Sequence, residues 1–196
     1  SVLIAVMLAA RHLKDTMALL IIGIMFANLT SAVVSILAYF SGAEQLQQYV
    51  FWSFGSVGNL SWSELGILSV FWVLGIVLAL TCVKNLNSLL LGEHYARSLG
   101  VNLSRNRRLL IIATSLLAGG ITAFAGPIAF IGLAVPHLVR QIINTNDHRI
   151  MLPAVIMGGA CLMLICDTVA QLPGSAYTLP INAITSLVGA PVVIWL

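Results

Sequence analysis

Charge is scarce in this sequence. Of its 196 residues 8% are charged and 60% hydrophobic, and the mean hydropathy is +1.04. Soluble domains carry about 25% charged residues, so a soluble helical bundle is set aside in favour of a membrane protein. Cysteine is scarcer still. Cys82, Cys161 and Cys166 all lie in apolar runs. An odd count without metal-type spacing gives no disulfide framework and no zinc site, and the three read as small core hydrophobes. A phosphate-cradling GxxxxGK(S/T) loop is missing, so any ATP hydrolysis must come from another chain. The basic residues are spread over separate loops rather than along one stripe, which gives no nucleic-acid signature. The opening SVLIAVMLAA has neither a basic n-region nor a cleavage site. It reads as the end of a span, and the chain as part of a longer protein.

What the sequence does have is apolar length. Charge-free runs cover residues 16–43, 65–83, 109–139 and 168–196. A helix needs about 20 apolar residues to cross the hydrocarbon, and in lipid only helices and closed barrels satisfy their own backbone. These runs are continuous rather than alternating, which favours helices. The nine Lys and Arg residues set the order of crossing. Arg11 and Lys14 precede a first span from Met17 to Phe40. Residues 42–64 hold Glu44 and Glu64 but no cation, and are placed outside. Residues 65–83 cross back, and Lys84, Arg97, Arg105, Arg107 and Arg108 follow on the inside. This is the positive-inside pattern.

The run at residues 109–139 would measure about 46 Å as one straight helix, against a hydrocarbon core of about 30 Å. A single crossing puts Arg140 and Arg149 outside; two elements put them inside with the other seven cations. Gly119-Gly120 and Gly126-Pro127 offer breaks. The expectation is a full helix from about Arg108 to Ala125, then a short one from about Ile128 to Arg140. The second is too short for lipid and must be enclosed by other helices. Pro136 is expected to loosen its last turn and leave carbonyls for His137 or Arg140. A cytoplasmic loop at 141–149, an outward helix at 151–171, an external turn at 172–178 and a returning helix at 179–196 complete the path.

Between two spans lies LLLGEHYARSLGVN, residues 89–102. Leu90, Leu91, Tyr95 and Leu99 alternate at helical spacing with Glu93, Arg97 and Ser98, and Gly92 and Gly100 bracket the segment. A short helix of this kind is compatible with plain interfacial structure. In order along the chain, LGEHYARSLGV, AGPIAFIGLAVPHLVR, DHRIMLP and LPINAITSLVGAP resemble the FecCD family, the permease subunits of ABC importers for iron-siderophore complexes, haem and vitamin B12. The resemblance covers almost the whole chain and matches the C-terminal part of a permease of about ten spans.

That resemblance implies an all-α, polytopic transmembrane helical bundle with short cytoplasmic coupling helices and a short broken helix. It implies one transmembrane permease domain over residues 1–196, in the bacterial cytoplasmic (inner) membrane. The partners would be a second permease subunit (homodimer or close heterodimer), two cytoplasmic ATPase subunits and a periplasmic or lipid-anchored substrate-binding protein. No cofactor is implied. The ATPase-docking segment falls on residues 89–107, with Gly92, Glu93, Ala96, Arg97, Leu99 and Gly100 matching its pattern. The broken helix carries Gly126, Pro127, Gly132, Pro136, His137 and Arg140. Two departures stand out. The family's Asp-x-x-x-Arg reads Asp167 to Gln171 here, and its Glu-Leu-Pro reads Thr178-Leu179-Pro180.

Three further readings complete the sequence argument. Asp167 is the one carboxyl in the apolar part of a span, and an acid there can carry protons; the alternative is local pairing near the outer end of its helix. His137 has no partner His, Cys or carboxylate at ligand spacing, so no metal site is assigned. In YVFWSFGSVGNLSW, Trp52 and Trp62 suit an interfacial belt. Phe54, Gly55, Gly58 and Asn59 equally suit a mouth facing the binding protein. The function expected is import of a metal chelate, iron-siderophore or haem, with cobalamin as the alternative. Two rival classes are an ion-coupled transporter using Asp167 and an intramembrane hydrolase, the latter weakened by the single Asp and the lack of a deep Ser–His pair.

Overall fold

The computed structural model describes residues 16–58, 60–171 and 179–194. Among the described residues the chain is all-α, with no strand. The helices are α1 (Thr16–Phe40), α2 (Ala43–Ser53), α3 (Trp62–Leu89), α4 (Glu93–Ser98), α5 (Leu103–Ala125), α6 (Ile131–Ile143), α7 (His148–Ala170) and α8 (Ile181–Ile194). Arg11, Lys14, Asn59 and the external turn expected at 172–178 lie outside the described residues. Four helices are long and apolar enough to cross a membrane, those ending at Phe40, Leu89, Ala125 and Ala170.

The chain divides into two compact units, Ser1–Phe51 and Trp52–Leu196. In the first, three hydroxyls on or just past α1 bond back to its own backbone. Thr30, Ser35 and Ser41 each donate to the carbonyl four residues back, at 2.8, 2.9 and 2.7 Å. That local bonding removes the cost of a bare hydroxyl in hydrocarbon. The α2 helix was not expected; residues 42–64 read from the sequence only as an external segment.

In the second unit α3 and α5 form the most extensive pair. Gly75 lets the two close together: a Cβ there would lie 2.5 Å from Leu117 Cγ. Small residues at such crossings let backbones approach in a membrane, where apolar attraction between helices is weak. The α3 helix starts earlier and ends later than the 65–83 run. Its start is set by a capping box, in which Glu64 N donates to Ser61 Oγ at 3.3 Å and Ser61 N donates to Glu64 Oε2 at 2.8 Å. This is the S-x-x-E signature of a helix start, legible as Ser61-Trp-Ser-Glu64.

The expected break is present: α5 stops at Ala125 and α6 begins at Ile131. Two details differ from expectation. The short helix starts three residues later than Ile128 and runs on to Ile143. Pro136 does not loosen its end; it sits inside α6. A proline removes one N–H and crowds the carbonyl four residues back, here that of Gly132, whose surroundings are open. The real terminator is Asn144, left-handed at φ 49°, whose N–H closes onto Arg140 O at 2.9 Å. His137 and Arg140 are both exposed, and neither side chain makes a hydrogen bond among the described residues.

Because α6 and α7 are joined by the short stretch from Asn144 to Asp147, they lie antiparallel. Val135 and Val139 pack on Met151, with Gly158 opposite both valines. Behind them, Cys166 and Ala170 of α7 pack on Ile184 of α8. Two of the three cysteines are thus small buried hydrophobes, as read from the sequence; Cys161 is exposed.

Candidate functional site

The residues singled out by sequence gather at two ends of the second unit. The end where α3 passes into α4 and α5 carries the cations and is called the basic end.

At the opposite end three chain segments meet through their backbones. Ser56 N donates to Ala125 O at 2.9 Å, and Asn182 N donates to Phe54 O at 3.2 Å. Trp52 Nε1 donates to Ala123 O at 3.3 Å. Asn182 Oδ1 accepts from Ala129 N at 3.2 Å, so one side chain tethers the break between α5 and α6 to the start of α8. The contact is tight enough to require glycine. Gly126 has φ 79° and ψ 177°, a region that only glycine occupies readily. A Cβ there would also meet Trp52 O at 2.4 Å and Gly55 Cα at 3.0 Å. This geometry joins two predicted groups that the sequence kept apart, the mouth (Phe54, Gly55) and the broken helix (Gly126, Pro127). Gly58 and Gly132 are not drawn in; nothing lies within 4 Å of a Cβ at either.

The basic end is held by side chains. Asn87, near the end of α3, donates through Nδ2 to Asp147 Oδ1 at 2.5 Å. Its own Oδ1 accepts from His148 N at 2.9 Å and faces His148 Nδ1 at 2.8 Å. Asp147 caps α7 by accepting from Arg149 N at 2.9 Å. That bond first, and the Asn87 amide second, hold the Asp147 carboxyl below the usual aspartate range. Two residues earlier Asn85 Nδ2 donates to Asn106 Oδ1 at 3.1 Å, with Asn106 only 2% exposed. A buried amide must be paired, and this pair fixes the register of α3 against α5.

Between these two side-chain ties lies the segment that the resemblance marks for docking an ATPase. Gly92 has φ 100° and ψ 154° and sets the start of α4, and Gly100 has φ 80° just past its end. Ala96 is fully buried and its carbonyl accepts from Val101 N at 3.1 Å. Arg97 and Glu93 pair at 3.8 Å on the exposed side. Leu90, Leu91, Tyr95 and Leu99 are all at least half exposed. The segment then runs straight into the first turns of α5. The result is a short helix anchored by one small residue, with half-exposed large apolar side chains on it and at both of its ends among the described residues.

Asp167 pairs locally. Gln171 Nε2 donates to Asp167 Oδ2 at 2.7 Å, one helical turn on. Among the described residues no group of three His, Cys, Asp or Glu side chains could hold a metal ion. The residues that sequence reading missed are the asparagines: Asn85, Asn87, Asn106 and Asn182. Each is a polar group at the edge of an apolar run, and that was the available signal.

Comparison with known proteins gives this geometry a context. The family model for the FecCD transport family matches residues 1–196. The hemin transport system permease protein HmuU of Yersinia pestis is 40% identical over 178 residues, 91% of this chain and 53% of that protein. The vitamin B12 import system permease protein BtuC of Klebsiella pneumoniae is 40% identical over 190 residues, 96% of this chain and 56% of that protein. A solved structure of the metal-chelate ABC-transporter type, in an inward-facing conformation, superposes with a TM-score of 0.87 at 34% identity. It covers 98% of this chain and 63% of its own. The chain thus spans little more than half the length of the curated relatives it matches. Matched from end to end by the family model, and folded like a solved transporter, this chain belongs to the FecCD transport family.

Proposed function

We propose that this chain supplies the C-terminal part of the membrane-spanning permease subunit of an ATP-driven importer for a metal chelate, iron-siderophore or haem. It works in the bacterial inner membrane with a second permease subunit, two cytoplasmic ATPase subunits and a substrate-binding protein outside. It is not itself the ATPase. The observation that carries this reading is the docking segment. A six-residue helix, bracketed by glycines in backbone conformations other residues resist, carries the half-exposed Tyr95 and is flanked by the half-exposed Leu90, Leu91 and Leu99. A rigid apolar knob of this kind suits a cleft on a partner. Because α4 leads directly into α3 and α5, and Asn87 ties α3 to α7, displacement of the knob is passed to three spans.

Cobalamin is kept as the second substrate reading, since BtuC is a vitamin B12 permease. The ion-coupled alternative loses its support, because Asp167 is already bonded to Gln171. Proteoliposomes holding the full-length permease and its ATPase, with binding protein added outside, should take up labelled iron-siderophore or haem when ATP is supplied within. Uptake of cobalamin alone would transfer the assignment to the second reading. ATP-independent uptake that follows a proton gradient would overturn it.

A further inference from the structure

We propose that a basic cleft between α3 and α5 holds the headgroup of an anionic phospholipid from the cytoplasmic leaflet. The cleft has a volume of about 790 Å³, within the roughly 300–1,000 Å³ typical of small-molecule sites. One end is lined by Leu78 and Leu109, the other by Lys84, Arg105, Asn85 and Ser88. From Leu78 to Ser88 is about 15 Å along the helix, so the wall grades from apolar to basic over the length of a headgroup and the first part of an acyl chain.

Depth agrees with that grading. The 28 residues of α3 measure about 42 Å, against a hydrocarbon core of about 30 Å. Its last turns therefore stand in the headgroup layer on the side that carries the cations. No acidic residue lines the cleft. Among the described residues the only Lys or Arg ion pair is Arg97 with Glu93, which leaves Lys84 and Arg105 without a counter-charge. A phosphate diester would supply it. Basic pockets between spans on the cytoplasmic side select anionic headgroups in this way. Free inorganic phosphate would satisfy the cations but not the Leu78–Leu109 end, so the lipid is the better fit. Leu99 and Gly100 of the docking segment form part of the same wall, so an occupied cleft braces the base of α4. The proposal rests on the chain spanning the membrane with its cations inside, not on which chelate is carried.

The test uses the full-length permease with its ATPase, purified in neutral detergent and exposed to phosphatidylglycerol or phosphatidylcholine. Native mass spectrometry then counts retained lipid. Phosphatidylglycerol should be retained in preference. Lys84→Gln and Arg105→Gln should each cut that retention by about fivefold, the effect of one cation near a headgroup. Lys84→Arg should restore it. Arg108→Gln removes the same charge from the same helix outside the cleft and should leave retention at the wild-type level. Equal loss in Arg108→Gln, or none in Lys84→Gln and Arg105→Gln, would overturn the site. Displacement of the lipid by excess inorganic phosphate would overturn the lipid assignment in favour of a free anion.

Discussion

The two ends of one helical bundle are joined by different chemistry. At the end opposite the cations, backbone meets backbone: Trp52 O, Gly55 and Gly126 touch, and Ser56 N bonds to Ala125 O. At the basic end, side chains bridge: Asn87 to Asp147 and His148, and Asn85 to Asn106. The backbone junction leaves no room for a Cβ at Gly126. A junction of amides and carboxylates can exchange partners, with each hydrogen bond worth about 0.5–1.5 kcal/mol net. In the proposed importer the chain would thus be fixed at the end facing outward and adjustable at the end facing the ATPase. An importer driven from the cytoplasm needs that division.

The largest expected effect breaks the fixed end. Gly126→Ala places a Cβ against Trp52 O and forces a conformation that only glycine occupies readily. The cost should be about 3 kcal/mol or more, read as loss of folded full-length permease on thermal unfolding in detergent. Gly132→Ala, in open space on α6, should leave stability unchanged or slightly raised. Equal responses would erase the distinction between packed and open glycines.

A smaller effect is expected at the adjustable end. Asn87→Ala removes the bonds to Asp147 and to His148 N. It should cost about 1–2 kcal/mol, with the protein still folded and inserted but ATP-driven uptake reduced. A loss as large as that of Gly126→Ala would show the basic end to be as rigid as the other.

The smallest effect is one of pH. The Asp147 carboxyl is held below its usual range by the Arg149 N–H and the Asn87 amide. A group whose folded value is lowered contributes stability above its unfolded value, about 3.9 for aspartate, and loses it as pH falls through the folded value. The difference in unfolding temperature between wild type and Asp147→Asn should therefore be flat from mildly acidic to neutral pH. It should close only below about pH 4. A gap that changes near neutrality would put the titration on an imidazole instead.

Much of this contrast was legible in the sequence, but unevenly. Apolar run length and the nine cations were enough to call for helices and for a break between Ala125 and about Ile128. The reason is that burial and positive-inside charge act on composition, which a sequence displays directly. The short helix was visible as a helix but not its end. Pro136 was expected to loosen the last turn, yet the helix runs on past it and ends at Asn144, whose left-handed turn depends on local backbone geometry. Gly55 and Gly126 were each singled out, but nothing in their spacing says that they touch. That fact belongs to the tertiary path. Asn182 lies in LPINAITSLVGAP, a stretch noticed as a block and given no role. A tether from the break to the start of α8, 53 residues on, leaves no periodic trace.

In the proposed importer the adjustable end is driven through the docking segment. The most direct test is Gly92→Trp in the full-length permease, with uptake and membrane insertion measured on the same vesicles. With φ 100° and ψ 154°, Gly92 sits where other residues are strained, so the substitution redirects the start of α4 without touching the fixed end. The predicted result is wild-type insertion with ATP-driven uptake at background. Wild-type insertion with normal uptake would show that coupling does not pass through this segment.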